Sequence, residues 1–154
     1  MAINRYLWEG QTLLIATKHR KEQVLGPLFE ASFGLIPVVP CHFDTDQWGT
    51  FSGEIPRIDS PTDALRKKAH EAARLYPEHV FILVSEGSFC PHPTIPFIMA
   101  DDEFLLFYNQ KTKQEIIQRH LSTKTNFNAF NCNDWSQLET FARGVHFPSL
   151  ALIL

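Results

Sequence analysis

Leu13-Leu14-Ile15-Ala16, the polar stretch Thr17-Lys18-His19-Arg20-Lys21-Glu22, the apolar series Val24, Leu25, Leu28, Phe29 and Ala31, and then Leu35-Ile36-Pro37-Val38-Val39 decide the fold. A short apolar run reads as a buried strand, the helical spacing as a helix, and the second run as another strand. Gly26-Pro27 interrupts the helical stripe, and Pro27 either kinks that helix or marks its start. Gly34 then stops it. Strand, polar loop, helix and strand at this spacing predict a βαβ crossover.

Outward from there, Pro40 to Ser60 has no helical or strand period and reads as one long loop. Such a loop inside a compact domain is usually functional or mobile. Ser60-Pro61-Thr62-Asp63 carries the signals of a helix start, with Ser at the N-cap and Pro at the first turn. Leu65, Ala69, Ala72, Ala73 and Tyr76 form one face of that helix, and Pro77 ends it. Val80 to Val84 reads as a buried strand, followed by a turn at Ser85-Glu86-Gly87-Ser88-Phe89. Pro91, Pro93 and Pro96 force an extended loop. Phe104 to Tyr108 is predicted as a strand, Lys111 to Leu121 as a helix, Ser122 to Asn133 as a loop, Trp135 to Ala142 as a helix near the capping Asp134, and Leu150 to Leu154 as a last strand.

This alternation predicts an α/β fold, a mixed sheet flanked by helices, as a single domain over residues 1–154. The chain stops on Ala151-Leu152-Ile153-Leu154 without a polar tail. A strand ending flush there is one reading; the expectation is that the chain is the N-terminal part of a longer protein.

The composition narrows the function classes. Over 154 residues, 44% are hydrophobic and 20% charged, close to globular averages. No apolar run approaches the roughly 20 residues that cross a bilayer, and no leader pattern opens the chain. Fourteen Lys+Arg against seventeen Asp+Glu give a net charge of −3, which argues against a duplex nucleic acid or membrane-surface partner. A small phosphorylated ligand needs only a few local cations and stays open. The three cysteines, Cys41, Cys90 and Cys132, form no C-x-x-C pair. This disfavours a disulfide framework and fits a cytoplasmic location.

Three constellations carry chemistry. Thr17-Lys18-His19-Arg20-Lys21 joins a hydroxyl and cations at a helix head, a phosphate cradle by type; the bland alternative is a solvated helix start. Asp44-Thr45-Asp46, with Glu54 in the same loop, offers oxygens for a hard cation such as Mg²⁺, or else ordinary turn chemistry. Ser85-Glu86-Gly87-Ser88 puts a carboxylate at the carboxyl end of an apolar strand, where α/β sheets bind ligands; otherwise it is a solvated turn acid. Lys67 or Lys68 could turn toward the same crevice. Cys41-His42 and Cys90 with His92 would need a coincidence of folding to make a zinc site.

The motifs Ala16-Thr17-Lys18-His19-Arg20-Lys21-Glu22, Phe43-Asp44-Thr45-Asp46 through Gly49-Thr50-Phe51-Ser52-Gly53-Glu54, Ser85-Glu86-Gly87-Ser88-Phe89 and Thr125-Asn126-Phe127 resemble those of an uncharacterised bacterial domain family of unknown function. That resemblance spans nearly the whole chain and implies members that continue past this C-terminus. More distantly, the order of parts is similar to the inosine triphosphate pyrophosphatase and Maf superfamily. Thr17 and Lys21 match its phosphate loop, Lys68-Ala69 its Lys-Ala pair, and Val84-Ser85-Glu86-Gly87 is similar to its Ile-Glu-Gly turn. The resemblance implies an inosine triphosphate pyrophosphatase-like fold, with Glu86 as the metal-binding or water-activating acid. The chain departs from the pattern at His19, where Asn or Ser is usual, and in a Lys one position early. Asp63 is a loose counterpart of a helix Glu, and the Asp44-Thr45-Asp46 loop has no equivalent.

Together these readings lead to a Mg²⁺-dependent hydrolase of a nucleotide or related phosphorylated small molecule, of nucleoside triphosphate pyrophosphatase type. Thr17, Lys18, Lys21 and Lys68 would bind phosphate; Asp44, Asp46, Glu54 and Glu86 would hold the metal; Glu86 would be catalytic. The alternative is a non-catalytic nucleotide- or ligand-binding or interaction domain on the same fold.

Overall fold

The computed structural model of the chain describes residues 8–17, 20–43, 60–125, 128–149 and 152. Its elements run in the order β1 (Thr12–Ala16), α1 (Glu22–Phe33), β2 (Ile36–Val38), α2 (Pro61–Leu75), β3 (Phe81–Pro91), β4 (Met99–Asn109), β5 (Gln114–Ser122) and α3 (Trp135–Gly144). Among the described residues the strands form a five-stranded sheet of order β2-β1-β3-β4-β5. β1 runs parallel to β2, with Thr12 opposite Ile36, and parallel to β3, with Ala16 opposite Val84. β3 and β4 form a hairpin: Gln110 N donates to Val80 O (3.0 Å) at its open end and His92 N to Ile98 O (2.7 Å) at its tip. Gln110 to Lys113, which link β4 to β5, are too few for a crossover, so that pair is antiparallel as well. The sheet is mixed and helices flank it, as the sequence predicts.

The chain divides into two compact units, Met1–Ser88 with Glu103–His120, and Phe89–Asp102 with Leu121–Leu154. In the first, strand alternation sorts the apolar residues onto two faces. Leu14, Ala16, Ile82, Val84, Leu106 and Tyr108 pack with Leu65, Ala69 and Ala72 of α2. Leu13, Ile15, Leu35, Phe81 and Leu83 pack with Leu25, Phe29 and Phe33 of α1. Each fully buried Leu or Ile contributes about 1.5–3 kcal/mol relative to exposure, so the two helices are held by their apolar stripes. Phe107 anchors the α1 face, with the rings of Trp8, Phe81 and Phe29 at 5.4, 5.3 and 6.0 Å from its own.

Helix ends follow local chemistry. The Ser60 hydroxyl accepts from Asp63 N at 3.2 Å, with Pro61 in the first turn. Gly34 ends α1 in the left-handed region, at φ 71°, and its N–H reaches Glu30 O. α1 continues on both sides of Pro27, which is not its start. Gly26 lets that helix approach β2: a Cβ there would meet Pro37 Cβ at 3.3 Å.

In the second unit, the Asp134 side chain caps α3 by accepting from Gln137 N (2.8 Å), while Gln137 Oε1 accepts from Asn133 N (3.1 Å). Phe141 of α3 stacks on Phe130 at 5.7 Å.

Three predicted elements are corrected. Ser85 to Phe89 is not a turn but the continuation of β3, because β4 pairs along it. The strand predicted over Phe104 to Tyr108 extends across Met99–Asn109. Lys111 to Leu121 is not helical: Gln114–Ser122 is β5. Alternation explains the last change. Glu115 accepts from Arg66 of α2 (2.9 Å), Ile117 packs on the α2-side cluster, and the Arg119 guanidinium lies 5.3 Å from the Phe104 ring centre. Successive odd-numbered side chains thus meet the α2 face, a period of two rather than 3.6. Within the predicted long loop, residues 44–59 lie outside the described residues, as does nearly all of the predicted terminal strand. Among the described residues no helix is long and apolar enough to cross a membrane.

Candidate active site

β1 ends at Ala16, opposite Val84, while β3 runs on to Pro91, so Glu86 stands inside β3, just past the level at which β1 stops, rather than at a strand end as the sequence predicts. On the α2 face, Lys68 Nζ donates to Glu86 Oε1. Both are buried, each 6% exposed. Helical spacing forces this placement: Lys68 stands three residues after Leu65 and four before Ala72, inside the buried stripe of α2. Glu86 continues the series Ile82, Val84 on the same face of β3. Removing two such charges from water costs several kcal/mol per ion, offset only when the partners meet closely. Lys67, the other candidate, is on the exposed side of α2.

A second pair lies on the α1 face. Lys21, at the N-cap of α1, donates from Nζ to Glu103 Oε2 of β4 at 2.6 Å, with side chains 31% and 35% exposed. Gly87 makes room for it: any Cβ at that position would lie 2.8 Å from Glu103 Cδ. Thr17, just beyond β1, holds its Oγ1 buried with no hydrogen-bond partner among the described residues.

The structure therefore brings Lys68 to Glu86 and Lys21 to Glu103, on opposite faces of the sheet, rather than all four onto one face. Lys18, Asp44, Asp46 and Glu54 lie outside the described residues. Sequence reading missed Glu103 and the buried Asp102, 7% exposed. The signal was Asp101-Asp102-Glu103, three acids leading into an apolar strand.

No group of three His, Cys, Asp or Glu that could hold a metal occurs among the described residues. The Cys and His pairs do other work. His92 Nδ1 accepts from Thr94 N and Ile95 N, both at 3.2 Å, and so fastens the hairpin tip. Tyr76 Oη donates to His42 O at 3.1 Å. Cys41, Cys90 and Cys132 are free thiols. Away from these pairs, Arg74 beside Glu71 holds that surface carboxyl below its ordinary range.

The family described as Domain of unknown function (DUF6671) matches residues 70–154, more than half of the chain, and the chain belongs to that family. A search of curated proteins finds no match. Among solved structures, the chain is similar to protein VC0702 from Vibrio cholerae, at 11% identity and a TM-score of 0.49, over 73% of this chain and 62% of that one. It thus spans less than two thirds of the length of the Vibrio protein. It is also similar to the nucleoside-triphosphatase / dITP/XTP pyrophosphatase from Mycobacterium abscessus, at 12% identity and a TM-score of 0.49, over 72% of this chain and 70% of that one.

Proposed function

We propose that this member of the family hydrolyses a nucleotide or related phosphorylated small molecule with the help of Mg²⁺. The observation that carries the reading is the buried Lys68–Glu86 pair, set on β3 just past the level at which the parallel strand β1 ends. A buried ion pair is weak evidence for stability, and the space past the carboxyl end of a parallel strand is where α/β sheets bind ligands.

The roles follow from charge. Thr17, Lys18 and Lys21 bind phosphate oxygens, and the unpartnered Thr17 hydroxyl supports that assignment. Lys68 pairs with Glu86 on the α2 face, opposite Lys21, and supplies a further cation to a phosphate chain that reaches round the end of β1. Glu86 orients a water molecule and accepts its proton. Mg²⁺ takes oxygen ligands and commonly binds through one or two carboxylates plus substrate phosphates. Glu86 fits that donor chemistry, with Asp44 or Asp46 and Glu54 as further ligands. When bound, the ion neutralises phosphate charge that would repel the attacking oxygen.

The test is a panel of nucleoside di- and triphosphates, assayed for phosphate or pyrophosphate release with and without Mg²⁺. Mg²⁺-dependent release by the wild type, lost in Glu86→Gln, supports the reading. A second reading, a non-catalytic binding domain, is favoured by one observation: both Lys68 and Lys21 are already neutralised from within. Ligand-induced thermal stabilisation without release from any member of the panel would select it.

A further inference from the structure

The Lys21–Glu103 pair differs from the buried one in being partly open to solvent, about one third exposed on each side. It can therefore exchange partners. The Glu103 carboxylate lies over Gly87, in volume that a side chain there would take, with Oε2 3.0 Å from the position of a Cβ. Ala16 pairs with Val84, so the register carried one step further sets Thr17 beside Ser85. Thr17 then shares the face of Gly87 and Glu103. That face presents a cation, a buried hydroxyl without a partner among the described residues, and a carboxylate already seated on the cation.

We infer that Glu103 is an internal counter-anion that occupies Lys21 in place of a phosphate group, and so sets the affinity and charge selectivity of this position. The inference rests on the phosphate-binding role proposed above for Thr17 and Lys21. A ligand group with one negative charge offers Lys21 only what Glu103 supplies, and Glu103 is tethered, hence present at high effective concentration. It also leaves the freed carboxylate beside a like charge. A terminal phosphate carries a charge of about −1.5 to −2 and outcompetes the carboxylate. The position therefore admits the ends of polyphosphate chains and rejects singly charged groups. Gly87 is a condition of the device, because any larger residue would push Glu103 off Lys21.

Isothermal titration calorimetry at fixed low ionic strength tests this with two probes, inorganic tripolyphosphate and singly charged dimethyl phosphate. Against wild type, Glu103→Gln should bind tripolyphosphate roughly tenfold more tightly, equivalent to about 1.4 kcal/mol. Its preference for tripolyphosphate over dimethyl phosphate should narrow. Adding Lys21→Gln should abolish the gain. Gly87→Ala, whose backbone conformation tolerates a side chain, should show the same gain without touching either charge. If wild type binds and Lys21→Gln weakens binding, yet neither Glu103→Gln nor Gly87→Ala binds more tightly, the counter-anion inference fails and the phosphate role of Lys21 stands. If neither wild type nor any variant binds tripolyphosphate, both fail.

Discussion

Lys68 of α2 and Glu86 of β3 are eighteen residues apart in the chain and meet as a buried ion pair in the layer between that helix and the sheet. Neither can be changed alone without leaving a charge or its hydrogen-bonding partner stranded. The stability of the fold and the chemistry proposed for it thus share two residues.

Lys68→Met alone strands Glu86, and Glu86→Gln alone strands Lys68. Each single change should destabilise the protein by about 3 kcal/mol. The double variant Lys68→Met/Glu86→Gln, with no uncompensated charge, should recover most of that loss. Urea denaturation of all four proteins closes the cycle; additive losses in the double variant would show that the two residues are not coupled.

Turnover should respond differently from stability. In Glu86→Gln, hydrolysis of a confirmed substrate should fall by roughly 10² or more when rates are normalised to folded protein, a loss of about 3 kcal/mol in transition-state stabilisation. The double variant should regain stability and stay inactive. Recovery of both together would make the pair structural only.

Ser60→Ala removes the acceptor for Asp63 N at the start of α2. Thermal unfolding should report a loss of about 1 kcal/mol, and Ser60→Asp should lose little. Equal stability of Ser60→Ala and wild type would mean that Pro61 and the stripe suffice to start the helix.

Gly34→Ala places a Cβ at φ 71°, 3.0 Å from Glu9 Cγ and 3.2 Å from Glu9 Cα. The left-handed conformation alone costs about 1–2 kcal/mol with a side chain, and the Glu9 backbone cannot move aside as a flexible side chain would. Stability should fall by at least that amount; a neutral outcome would show that α1 can end without this turn.

Local chemistry, legible in the sequence, determined the beginning of α2, the glycine stop of α1, the capped α3 and the apolar strands β1 and β3. Each rests on neighbours within a few residues, so spacing alone specifies it. Glu86 and Lys68 were legible as candidates for the same reason, one directly after an apolar run and one inside a helical stripe, although the strand continues through Glu86. Only the tertiary structure decided the rest. Ser85 to Phe89 reads as a turn until β4 supplies its hydrogen bonds. Lys111 to Leu121 reads as a helix until Arg66 and the α2-side cluster claim alternate residues of β5. Glu103 is an ordinary acid in the sequence, and its pairing with Lys21 across eighty-two residues exists because Gly87 leaves the space. Period and capping are properties of one segment, whereas strand pairing and ion pairing depend on partners that only folding brings within reach.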